Sequence, residues 1–263
     1  MKTPVHFAAP YLMAPTNPIT VNLIGAGGTG SHMISALARI NSTLKIYDHP
    51  GLQVNLWDDD EVTLANQDRQ YFAKSEIGLN KAVARIAHTN RHAGTNWKAI
   101  TEKFTRPNVY GQQHCANIYI SCIDKVKPRF EISDMLQELS KEEIAEPIRP
   151  YYWMDFGNAQ VTGQALLATV GNIPQPKSKI YLTRPFLPSV VDQFRHLLLA
   201  QPEDDQPSCS QREALEKQDL FINSALVQNG GSLLLQLLRN GMIEKRGFFV
   251  NIEDLCCQPI RLT

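Results

Sequence analysis

Apolar residues along the chain fall into short continuous runs that alternate with stripes at helical spacing. Val21, Leu23 and Ile24 make a run that ends at Gly25, and Met33, Ile34, Leu37 and Ala38 then recur on one helical face. Residues 53–57 read as a second strand closing on Asp58-Asp59-Asp60. Residues 80–90 are helical (Ala82, Val83, Ile86, Ala87), and 97–101 suggest a further strand. Residues 117–123 form a buried strand by their β-branched and aromatic content and end at Asp124. An amphipathic helix over 130–146 follows, stopped by Pro147 and Pro150. Strand and helix alternating in this order imply a mainly parallel sheet with right-handed crossovers.

The flanks differ. Residues 1–20 are rich in Pro and Ala and read as an extended arm that can carry a short strand near its end, and 41–52 read as a connection with a turn at His49-Pro50-Gly51. Beyond residue 150, strands over 153–157 and 161–170, with Gly163 in or between them, suggest an antiparallel pair. Residues 171–207 are dense in proline, end in Glu203-Asp204-Asp205 and include an amphipathic helix over 189–199. They suit either an adaptable partner-facing loop or a solvated connection. A helix over 214–239 contains Gly230-Gly231, which implies close packing or a kink, and 248–252 is the last strand. The fold class is α/β: a Rossmann-like, mainly parallel sheet flanked by helices, continued by antiparallel strands in the C-terminal half. One domain over 1–263 is expected, with a nucleotide half (20–150), a C-terminal half (151–263) and a partner-facing loop at about 171–210.

Composition narrows the classes. At 263 residues the chain is long enough for one large domain with a sizeable core. Lysine plus arginine equals aspartate plus glutamate at 26 each, so no global field favours nucleic acid or an acidic membrane. There is no signal-peptide pattern and no apolar stretch of the roughly 18–20 residues needed to span a bilayer, so a soluble, cytoplasmic protein is expected. The five cysteines (Cys115, Cys122, Cys209, Cys256, Cys257) contain no C-x-x-C, so no structural zinc is expected, and Cys256-Cys257 reads as partly buried thiol.

The chemistry concentrates between residues 21 and 81. Strand, Gly25-Ala26-Gly27-Gly28-Thr29-Gly30 and helix form a phosphate site, because the glycines let backbone N–H groups approach an anion at a helix N-terminus. Taken alone, Gly25-x-Gly27-x-x-Gly30 also fits a dinucleotide site, which wants an acidic residue about 20 positions on at a strand end. Asp48 has that spacing but follows a poor strand, whereas Asp58 ends a better one further away. Asn66, Arg69 and Lys81 crowd the next segment. Their charge-assisted contacts suit an extended polyphosphate better than a nicotinamide pyrophosphate, although a solvated loop charge is the plain alternative for Arg69 and Lys81.

The string Asp58-x-Asp60-x-Val62-x-Leu64-x-Asn66-x-x-Arg69-Gln70, with Gly78-x-x-Lys81 downstream, resembles the ATP site of ThiF, MoeB and ubiquitin-activating enzymes. Gly25-x-Gly27-Gly28-x-Gly30-Ser31 and Cys122-Ile123-Asp124 are similar to that family's motifs too. Within the family, His49-Pro50-Gly51-Leu52 and Pro207-Ser208-Cys209-Ser210 look most like the ThiF-like proteins of PRTRC systems. The resemblance implies that Gly25, Gly27, Gly28 and Gly30 face the nucleotide and that Asp58 holds the ribose. It implies that Asn66, Arg69 and Lys81 contact phosphates and that Asp124 places Mg²⁺. Asp60 stands in the same nucleotide motif, with a structural turn or cap as its alternative role. The implied reaction is ATP-dependent adenylation of the C-terminal carboxylate of a small ubiquitin-like β-grasp protein by a homodimer. Cys209 would accept the acyl group as a thioester or else be an inert loop cysteine. Cys122 reads as core, and His88 and His92 as a solvated helix face.

Four departures stand against this. Lys125 follows Asp124 where the family usually has Asn, the paired C-x-x-C zinc site of many relatives is absent, no Arg precedes Arg39 to reach a partner subunit's ATP, and the connection before the second strand is long. The competing readings are a non-catalytic nucleotide-binding scaffold for the same partner and an NAD-dependent oxidoreductase. The latter leaves Asn66, Arg69 and Lys81 unexplained.

Overall fold

A computed structural model of the protein describes residues 2–66, 70–105, 115–200 and 218–263. In chain order the elements are β1 (Thr3–Phe7), α1 (Pro10–Met13), β2 (Ile19–Ile24), α2 (Gly28–Ile46), β3 (Leu52–Trp57), α3 (Lys81–Ala93), β4 (Lys98–Ile100) and β5 (Ile118–Ser121). Then come α4 (Val126–Leu139), β6 (Tyr152–Asn158), β7 (Thr162–Thr169), β8 (Tyr181–Thr183), α5 (Val190–Ala200), α6 (Ile222–Asn240), β9 (Met242–Ile243), β10 (Lys245–Asn251) and β11 (Cys256–Arg261).

An eight-stranded sheet in the order β11-β10-β7-β6-β5-β2-β3-β4 spans the molecule. From β4 to β6 neighbouring strands are parallel, and from β6 to β11 they are antiparallel. The mixed α/β architecture expected from the alternation of strand and helix is therefore present. One face is covered by α2 and α6, whose Met33, Ile34, Leu37, Leu226, Leu234 and Leu237 are buried on it. The other is covered by α4 and α5 against Ile24, Tyr119 and Trp153. Helices on both faces bury both sides of β2 and β5, so that even the polar Asn22 and Ser121 are fully enclosed.

Several boundaries differ from expectation. The N-terminal segment is not an extended arm. β1 pairs in parallel with β8 and antiparallel with β9, and Val5, His6, Ala9 and Leu12 are buried. α2 runs on to Ile46 because Asn41 and Leu44 continue its buried stripe, and Asn41 Oδ1 accepts the Leu52 N–H at 2.8 Å, tying the helix to β3. The connection before β3 is accordingly short. α4 starts at Val126 and ends at Leu139, with Pro128 in the first turn, where helical N–H groups lack internal partners anyway. α5 matches its expected place, and Ser189 and Asp192 cap it reciprocally, with Asp192 Oδ2 accepting from the Ser189 N–H at 2.9 Å and Ser189 Oγ accepting from the Asp192 N–H at 3.1 Å.

α6 begins at Ile222 and passes through Gly230-Gly231 as a helix, so close packing is the reason for the glycines. A Cβ on Gly230 would collide with the Phe156 ring and lie 3.2 Å from Met154 Cε. β11 is an added edge strand. Cys256 and Cys257 on it are exposed rather than partly buried, and a strand with no layer above it carries no apolar alternation to read.

Gly230→Ala should destabilise the protein by about 1–3 kcal/mol in chemical denaturation, because overpacking against Phe156 outweighs the helix propensity gained. Equal or greater stability would contradict this packing.

Candidate functional site

The parallel strands β2, β3 and β5 end side by side, so the residues just past them meet. Gly25 has φ +92° and donates its N–H to the Trp57 carbonyl at 2.9 Å. A Cβ there would lie 2.6 Å from the Cys122 carbonyl oxygen, and one on Gly30 would collide with the carbonyl of Gly25. Without these side chains the first turn of α2 closes onto the strand ends. Gly28 sits against Asn223 in the same way, with 2.6 Å between its would-be Cβ and Nδ2. Gly27 is the opposite case, since nothing lies within 4 Å of its would-be Cβ. It caps α2 with no side-chain hydrogen bond, so the helix presents uncapped N–H groups on an open side, which is what an anion requires.

Asp58 stands beside this turn. Its Oδ2 accepts the Ala26 N–H at 2.6 Å and its Oδ1 accepts the Asp60 N–H at 2.9 Å. Burial pushes its carboxyl above the usual range, opposed by the Ala26 N–H, by Lys81 and by the Asp60 N–H. Asp60 forms an ion pair with Lys81 at 2.8 Å, the ammonium end nearly enclosed and the carboxylate largely exposed. Asn80 caps α3 by accepting the Val83 N–H, and its amide donates to the carbonyls of Asp58 (2.8 Å) and Asp60 (3.2 Å). Asp58, Asp60 and Lys81 are thus knit into one loop. Asn66 is turned toward its own loop, where Oδ1 accepts from the Thr63 N–H and hydroxyl at 2.8 and 3.0 Å. Arg69 and Cys209 lie outside the described residues.

Asp124 is exposed between β5 and α4. What fixes it was missed from sequence. Arg129, almost wholly buried, donates Nε to both oxygens of Asp155 at 3.1 and 3.2 Å, Nη2 to the carbonyls of Ile123 (2.6 Å) and Phe156 (2.9 Å), and Nη1 to the Lys125 carbonyl (3.3 Å). Asp155 also accepts from Ser121 Oγ at 2.6 Å. The carbonyls on either side of Asp124 are therefore held by one guanidinium. A charged residue inside the apolar strand Trp153-Met154-Asp155-Phe156 was the signal available. Asn223, also missed, accepts from Thr29 Oγ1 and Asn158 Nδ2, both at 2.8 Å, and joins α6 to the glycine turn.

Other candidates fall away from this cluster. Burial drives the Cys122 thiol up and out of reach of ionisation near neutral pH. The rings of His88 and His92 stack at 6.1 Å along α3. Among the described residues no group of three or more His, Cys, Asp or Glu is placed to hold a metal. Asp48 precedes β3 on an exposed turn instead of ending a strand, which removes the dinucleotide spacing argument.

The ThiF family matches residues 16–251, and the chain belongs to that family. No curated protein matches by sequence. Solved structures with the same fold include Escherichia coli MccB with succinimide, at 12% identity and TM-score 0.57 over 92% of this chain. Selenomethionine PaaA matches at 12% identity and TM-score 0.58, also over 92% of this chain. MccB with AMPCPP and selenomethionine MccA matches at 12% and 0.57, over 92%. The chain covers 63–64% of the length of these proteins.

Arg129→Met should cost about 3–5 kcal/mol, because it leaves Asp155 buried without its cation. In that variant the folded-state pKa of Asp155 lies further above its unfolded value. The folded form then binds the extra proton, so stability should fall as pH rises and recover in part on acidification. Urea melts across pH check both, and a pH-independent loss would contradict the assignment.

Proposed function

We propose that the protein adenylates the C-terminal carboxylate of a small ubiquitin-like β-grasp protein, using ATP. The observation that carries this reading is the convergence of an uncapped helix N-terminus, Asp58 and the Asp60–Lys81 pair at the ends of β2 and β3. Family membership and the order of its motifs support the same assignment, with the PRTRC-type members as the nearest in pattern.

In this reading the N–H groups of Gly27 to Gly30 and the Lys81 ammonium meet the phosphates, and Asp58 accepts hydrogen bonds from the ribose hydroxyls. A carboxylate oxygen of the partner attacks the α-phosphorus, and the bond to the bridging oxygen breaks. Pyrophosphate leaves with that electron pair, and an acyl-adenylate forms. Two anions approach each other, so cations placed beforehand contribute most at the transition state. Arg69, outside the described residues, would add such a cation. Mg²⁺ fits the arrangement, because it takes one or two carboxylates plus phosphate oxygens rather than a full protein cage, and Asp124 supplies one. It would neutralise phosphate charge. Cys209 is the proposed acceptor of the acyl group as a thioester, and the active form is a homodimer in the cytoplasm. Among the described residues no helix is long and apolar enough to cross a membrane.

ATP–pyrophosphate exchange in the presence of a glycine-terminated β-grasp partner tests the reading. Arg69→Ala and Asp124→Ala should each lower exchange by about 10²–10³. Cys209→Ala should leave exchange intact and abolish the thioester. Nucleotide binding without exchange in the wild-type protein would replace the enzyme by a scaffold. Because Asp58 acts as an acceptor in its ionised form and burial raises its pKa, ATP affinity should weaken on acidification at a higher pH than an ordinary carboxylate would give. Asp58→Asn should remove that dependence.

A further inference from the structure

Arg85, one helical turn beyond Lys81 on the same face of α3, is a buried charge only 2% exposed. It makes no ion pair among the described residues. Its Nη1 donates to the Tyr71 carbonyl at 2.7 Å and its Nη2 to Ser35 Oγ on α2 at 3.1 Å. The guanidinium lies over the Tyr71 ring, 5.2 Å from the centroid, and Nε is buried without a partner. Guanidinium is always charged, so neutral acceptors and a ring face leave net positive charge in place at this position.

The N–H of the same residue is also held. The Tyr71 N–H donates to Ser31 Oγ at 3.2 Å, and Ser31, in the first turn of α2, donates its own hydroxyl to the Gly28 carbonyl at 3.0 Å. The Tyr71 ring rests near His32, with centroids 5.0 Å apart. One residue back, Gln70 is 7% exposed, its N–H donates to the Asn66 carbonyl at 3.0 Å, and its Oε1 is buried with no partner. The backbone of Tyr71 is thus held between the first turn of α2 and a cation on α3. It directly follows the Asn66-x-x-Arg69-Gln70 motif.

We propose that Arg85 is a positioning residue for nucleotide binding: by clamping the Tyr71 carbonyl it holds Gln70 and Tyr71 against the first turn of α2, beside the glycine turn. This rests on the nucleotide reading of the site, not on the adenylation step. The competing role is a plain staple between α2 and α3. A staple would affect folding stability but leave ATP affinity alone.

ATP titration calorimetry without any protein partner, run beside thermal melting, separates the two. Arg85→Lys keeps the charge and stem but loses the fork, and Arg85→Met loses the charge as well. Each should weaken ATP binding by about tenfold or more, the loss expected for a hydrogen bond to a charged group. Arg85→Lys keeps the test usable if Arg85→Met does not fold. Ser31→Ala, which frees the Tyr71 N–H, should not add fully to Arg85→Lys, because both act through the backbone of one residue. Unchanged ATP affinity in folded Arg85 variants with lowered melting points would overturn the proposal, as would full additivity with Ser31→Ala. A wild-type protein that binds ATP yet shows no exchange refutes adenylation and leaves this test standing. One that binds no ATP refutes both.

Discussion

The structure depends on how closely three strand ends and one helix can approach. Gly25 lies against the carbonyl of Cys122, and Gly30 lies against the carbonyl of Gly25, at separations that leave no room for a Cβ. With any other residues there, α2 would be displaced from β2 and β5. Its first-turn N–H groups would then no longer open beside Asp58 and Asp124. The site is therefore a consequence of backbone contact in the sheet, and the glycines act by what they lack. Gly27, with open space above it, is where a ligand can come near.

Around that contact the chain uses buried polar links more than apolar packing to hold its functional residues. Arg129 fixes the carbonyls flanking Asp124 while neutralising Asp155. Asn223 ties α6 to Thr29 and Asn158. Asp58 secures Ala26, and Asn80 secures Asp58. Each link joins elements far apart in sequence. A fully satisfied polar network of this kind is specific, because a lost partner leaves a desolvated group behind. Such pre-organisation suits a reaction whose barrier is the approach of two anions.

Much of the fold could be read from the chain because β2, β3 and β5 are short apolar runs bounded by glycine or aspartate, and helices with one buried stripe alternate with them. Asp58, Asp60 and Lys81 were legible as members of one motif string that resembles an ATP site, and the structure links them through Asn80 and the Asp60–Lys81 pair. Three kinds of feature were not legible. β1 and α1 lack periodicity because they are completed by β8 and β9, from distant parts of the chain. β11 has an exposed edge and hence no pattern. Arg129, Arg85 and Asn223 look like ordinary surface residues on their helices, and only the packing of α4, α3 and α6 shows that they are enclosed. Periodicity reports which face of an element is covered and says nothing about a single polar residue set within that face.

The central claim is that this arrangement activates a carboxylate by transfer of an adenylyl group. Intact-mass analysis of a glycine-terminated β-grasp partner, incubated with the protein, ATP and Mg²⁺, tests it most directly. The account predicts a partner species heavier by one adenylyl group, formed with the free C-terminal carboxylate and lost when that carboxylate is amidated. Absence of the adenylate while ATP is bound, or its formation on the amidated partner, would contradict it.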